Sequence, residues 1–160
     1  MRTLTASQVK ILEALVETMI PSDDLGPGAR EAQVARYIDG ALMLAERRAL
    51  FVVGLEATDA YARSTFGVGL ADLEPERRAT ILGDVERNRA DGFGDGSAWF
   101  FGMLRALTLE GMFCDPMYGG NADYIGWKLI GYPGHMFEIT PEEQQVDADV
   151  VPIYERTGRG

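Results

Sequence analysis

A chain of 160 residues is most simply one domain, long enough to bury about two-thirds of the surface its unfolded form exposes. Its 46% hydrophobic and 25% charged residues are ordinary for a globular protein. The net charge of −10 opposes binding to nucleic acid or to an anionic membrane face, because phosphates would repel it.

From the N-terminus, Thr5-Ala6-Ser7-Gln8 fits a capping box, with Thr5 as N-cap. Val9, Leu12, Val16 and Met19 follow at helical spacing until Pro21 stops the helix. A second helix is expected over residues 29 to about 40, with Val34, Tyr37 and Ile38 facing inward. Helical patterning then resumes to about Phe66, with Arg47-Arg48 either in a break or inside one long helix. Leu73-Glu74-Pro75-Glu76 opens the next helix, with proline in its first turn and acids near its N-terminus. After the connector Gly92-Phe93-Gly94-Asp95-Gly96, Ser97 is the expected N-cap of a helix over residues 98 to about 112. That helix is apolar nearly all round, as a central buried helix would be. The fold class is therefore all-α: about five helices, an irregular C-terminal third and an extended acidic tail.

The chain is organised around residues 99–134. This stretch holds eight of the fifteen aromatic residues but only five charged ones, and seven glycines. So much aromatic surface cannot face water. Gly119-Gly120-Asn121 and Tyr132-Pro133-Gly134 favour turns, so no regular helix or sheet is expected in its second half. Beyond it the composition turns acidic. The helical domain is placed at residues 1–137, and residues 138–160 are either a mobile tail or an arm docking on another subunit, with Tyr154 in its one apolar patch.

No motif carries catalysis. His135 is the single histidine and Cys114 the single cysteine, so di-iron, HExxH and CxxC sites fail. No nucleophile elbow surrounds Ser97 or Cys114, and the glycine-rich connectors miss both phosphate-cradle spacings. Glu110, Asp115, Asp123 and His135 define a rival reading, a small metal-binding protein or enzyme. The plainer reading makes Asp115 a turn starter before Pro116, Asn121 and Asp123 loop-holding residues, and Glu110 a partner of Arg105 or of a backbone amide. The N-terminus shows no apolar export signal or twin-arginine pattern. The expected compartment is the cytoplasm, or the periplasm if a leader has been removed or a partner carries the chain.

Glu110-Gly111-Met112-Phe113-Cys114-Asp115-Pro116, Tyr118-Gly119-Gly120-Asn121 and Gly126-Trp127-Lys128-Leu129-Ile130-Gly131-Tyr132-Pro133-Gly134 resemble the gluconate 2-dehydrogenase small subunit family. This is the gamma subunit, or subunit 3, of FAD-dependent sugar and polyol dehydrogenases of the glucose-methanol-choline type. Weaker features extend the likeness over residues 4 to 141. It implies a non-catalytic partner, with no cofactor of its own, that helps to fold or mature a large subunit. That subunit would carry FAD and the catalytic histidine, in some complexes with an iron–sulfur cluster, and a cytochrome c subunit could receive the electrons. The absence of a leader favours a cytoplasmic complex such as the glucoside 3-dehydrogenase branch. Tryptophan, tyrosine, phenylalanine and arginine dominate interface energetics. The expected partner interface is therefore Arg105, Phe113, Pro116, Tyr118, Asn121, Tyr124, Trp127, Tyr132 and Tyr154. Trp99 and Phe100 are expected to be mostly internal.

Overall fold

Thr5 caps the first helix in the computed structural model, which describes residues 3–135, 140–148 and 150–155. The Gln8 N–H donates to Thr5 Oγ1 at 3.3 Å and Gln8 Oε1 accepts from the Thr5 N–H at 2.9 Å, so two otherwise orphaned donors are satisfied reciprocally. Helix α1 spans Ala6–Met19, α2 Val34–Ala41, α3 Ala45–Phe66, α4 Pro75–Glu86, α5 Ser97–Phe113 and α6 Ile125–Leu129. Short 3-10 turns occupy Leu70–Asp72, Pro116–Tyr118 and Ala122–Tyr124. The described residues contain no strand, and the fold is all-α. Arg47 and Arg48 lie in the first turn of α3, so the break falls before them.

Three local expectations are corrected. Helix α2 starts at Val34, because the preceding backbone is committed elsewhere: the Ala29 N–H donates to the Ile20 carbonyl at 2.8 Å, and Gln33 is left-handed at φ 56°. Ser97 does not cap α5. It is the first helical residue and is buried, its hydroxyl donating to the Val85 carbonyl at 2.8 Å, while Asn88 Oδ1 accepts the Ala98 N–H at 3.2 Å. A cap is thus supplied from the chain that leaves α4. Finally, α6 is a regular helix, though short, where an irregular course was expected.

Helix α5 is the hub, packing against α1, α2, α3, α4 and α6. Phe100, Leu104, Leu107 and Met112 are buried among Leu12, Leu15, Ile38, Phe51, Leu55, Ile81 and Val85, each large side chain stabilising the fold by about 1.5–3 kcal/mol. The Phe51 and Phe100 rings meet at 5.5 Å. Asp39 on α2 is buried and accepts from the Thr3 N–H (3.0 Å), the Thr3 hydroxyl (2.8 Å) and the Leu4 N–H (2.9 Å), fixing the segment before α1. Phe100 is internal as expected, but Trp99 is 46% exposed. It shares the solvent side of α5 with Gly102, Arg105, Ala106 and Leu109, a strip crossed by few charges.

Candidate partner-binding surface

The loop after α5 is held by the end of α5 itself. A helix leaves its last carbonyls without intrahelical donors, and here the loop supplies them. The Asn121 N–H donates to the Gly111 carbonyl at 2.8 Å, Trp127 Nε1 to the Phe113 carbonyl at 2.8 Å, and Asn121 Nδ2 to the Cys114 carbonyl at 2.8 Å. Asn121 Oδ1 accepts the Gly126 N–H at 2.7 Å, so one side chain ties the helix end to the start of α6. Glycine is required where the two backbones touch. A Cβ on Gly120 would strike the Gly111 carbonyl oxygen, and one on Gly126 the Met112 carbonyl oxygen.

This architecture gives two of the expected interface residues an inner role. Asn121 is fully buried and Trp127 is 3% exposed; both serve inside the chain as the cap of α5, Asn121 holding the loop by side-chain to backbone hydrogen bonds as the plainer reading expects, while Trp127 also borders the groove formed there. The remaining residues divide by place. Phe113, Tyr118 and Tyr132 line an open groove of about 670 Å³ together with Tyr37, Leu109 and Ile130. Tyr118 is 65% exposed and Ile130 59%. Arg105 lines a second groove of about 410 Å³, between the end of α1, α4 and α5, and Leu109 borders both. Pro116, half-buried, opens a 3-10 turn for which Asp115 is the N-cap, its carboxylate accepting the Met117 N–H at 2.9 Å.

Tyr124 and Tyr154 face one another. Their rings stack at 5.3 Å, Lys128 Nζ lies 5.5 Å from the Tyr154 centroid, and the Ile153 N–H donates to the Pro133 carbonyl at 2.8 Å. Residues 150–155 therefore dock on their own chain, an outcome that neither expected role for the tail included. The boundary placed at residues 137/138 lies outside the described residues.

The rival metal-or-enzyme reading gathers three of its four residues. Glu110, Asp115 and His135 line the larger groove with Cys114, and Asp123 does not. Glu110 takes the Tyr37 hydroxyl at 3.2 Å rather than Arg105 or an amide. Asp123, expected to hold the loop through its side chain, is exposed and instead sits in left-handed backbone at φ 52°. Among the described residues no group of three or more His, Cys, Asp or Glu side chains is placed to hold a metal ion. The His135 ring meets Trp127 edge-on at 5.7 Å. Burial pushes the Cys114 thiol above its ordinary pKa, and burial with the nearby Glu110 carboxylate does the same to the Tyr37 hydroxyl. A thiol held protonated is a poor nucleophile. Sequence reading placed Tyr37 only in the core; its hydroxyl at the groove had no signal in the helical spacing.

Such a body defines a class: a small helical domain whose motif-rich loop builds an exposed groove with aromatic walls. The family model for gluconate 2-dehydrogenase subunit 3 matches residues 6–134, and the chain belongs to that family. It is thus of the small-subunit type of a dehydrogenase complex, and membership implies association with a larger dehydrogenase subunit. The glucoside 3-dehydrogenase branch is not distinguished by this match. No curated protein and no solved structure gives a significant match. No helix among the described residues is long and apolar enough to cross a membrane.

Proposed function

We propose that this chain is a non-catalytic subunit that binds and stabilises the FAD-containing catalytic subunit of a sugar dehydrogenase, and helps it to mature. The observation that carries the reading is the pairing of family motif and geometry. The matched loop is fixed from within by Asn121 and Trp127, yet it turns Met117, Tyr118, Ile130 and Tyr132 outward at 37–78% exposure. A loop rigidly held and apolar outside is preorganised for docking, because little side-chain and backbone freedom remains to be lost on binding. The solvent strip of α5 around Trp99 and Leu109 adjoins it. In this proposal FAD, any iron–sulfur cluster and electron transfer to a cytochrome c belong to the partners, as does the choice of sugar or glucoside. Whether the complex works in the cytoplasm or the periplasm follows from the large subunit.

The test is to produce the large subunit with and without this chain, and to measure bound flavin and sugar oxidation per large subunit. Co-production should raise both severalfold, and Tyr118→Asp should remove most of the gain while this chain still folds. A large subunit that loads flavin and turns over equally well by itself contradicts the proposal.

A further inference from the structure

The groove between α5, α6 and residues 132–135 has aromatic walls and an acidic rim. Phe113, Tyr118 and Tyr132 supply the rings, Glu110 and Asp115 the carboxylates, and no arginine or lysine among the described residues lines it. Each carboxylate has one oxygen engaged, Glu110 Oε2 by the Tyr37 hydroxyl and Asp115 Oδ1 by the Met117 N–H. Their second oxygens have no protein partner among the described residues. Two cations approach from neighbouring helices but stand outside the lining. Arg36 lies against Gly119 and is hydrogen bonded to Gln33, and Arg47 acts on the Tyr37 hydroxyl from α3.

Charge selects the occupant. An anion would meet the carboxylate rim, and a second copy of this chain would bring its own net charge of −10 against the same sign. A cation on a flat or apolar body complements both wall and rim.

We propose that this groove is a socket for a cationic side chain, foremost arginine, carried on an apolar segment of the larger subunit. The inference rests on the subunit reading above and names the chemistry of its contact. A guanidinium lies flat on a tyrosine face while its edge donors remain available to carboxylates. Docking excludes water from that pair and strengthens it, and fixes the register of the two surfaces.

The experiment uses the full-length chain co-purified with its large subunit, with Tyr118 replaced by a photo-crosslinking phenylalanine analogue, and the joined peptide is sequenced. The expected peptide comes from the large subunit and carries an arginine or lysine close to the link. Glu110→Lys should weaken the complex by about tenfold or more, and Glu110→Gln, which keeps an acceptor for Tyr37, by less. Glu76→Lys makes the same charge change on the exposed first turn of α4 and should stay near wild type. Reversing the partner's basic residue to glutamate should restore binding to Glu110→Lys. A linked peptide without a basic residue, a link to a second copy, or equal losses for Glu110→Lys and Glu76→Lys overturns the socket. A normal complex that never crosslinks from the groove also overturns it but leaves the subunit reading standing. Failure to obtain any complex removes that reading and the socket with it.

Discussion

Asp39 shows how much one side chain can organise. Itself buried, it accepts from the buried Leu4 N–H and from two part-buried donors on Thr3, so Asp39→Ala should cost about 1–3 kcal/mol, because these donors lose their acceptor. Denaturant titration measures the loss; a change near zero would mean that the segment before α1 finds other partners. Cys114 makes the opposite case, a reactive type in an unreactive place. Burial raises its thiol pKa, so the folded state favours the protonated thiol. That stabilisation is full below the unfolded thiol's pKa and fades as pH rises through the folded one. Alkylation by iodoacetamide at pH 8 should therefore be slower in the folded chain than after unfolding; fast labelling at neutral pH would contradict the assignment. Of the residue-scale features, the Thr5 cap was legible because both partners sit within four positions of sequence. Asp39 was not, since its donors lie 35 and 36 residues away.

At the scale of elements, the helices were legible wherever hydrophobic spacing and local terminal signals agreed, as in α1 and α4, and the body of α5 was legible from its apolar run alone. They were not where distant groups decide. The start of α2 follows from an Ala29–Ile20 hydrogen bond, and the cap of α5 from Asn88; neither is written near the helix concerned. In the loop after α5 the sequence shows the turns, whereas its density of aromatic residues suggests contact surface alone. Trp127 and Asn121 close the helix end; a loop-holding role for Asn121 is legible in the sequence, but the cap itself forms only where the backbone folds back over Gly111 and Met112. Trp99, by contrast, faces water because α5 is apolar on more sides than its neighbours cover. Two predictions belong here. Gly126→Ala should force the loop from the Met112 carbonyl at a cost of about 1–3 kcal/mol, red-shifting Trp127 fluorescence while helix content stays; an unshifted spectrum would refute the close approach. Tyr154→Ala should remove a ring pair worth about 0.5–1.5 kcal/mol and speed exchange of the Ile153 amide, whereas unchanged protection there would show that the strap holds without Tyr154.

For the whole molecule, the proposed function makes the loop matched by the family the docking face, shaped from inside and used from outside. The fold class was legible from helical spacing along the chain and the family from one long run of unusual residues; the division of that run into inner and outer residues was not, since one motif serves both purposes. Hydrogen exchange, compared between the isolated chain and its complex with the large subunit, reads that face residue by residue. Docking through this loop brings new protection across residues 113–135 and along α5 near Leu109, with the outer face of α4 unchanged. Protection confined to α3 and α4, with residues 113–135 exchanging as in the isolated chain, would contradict it.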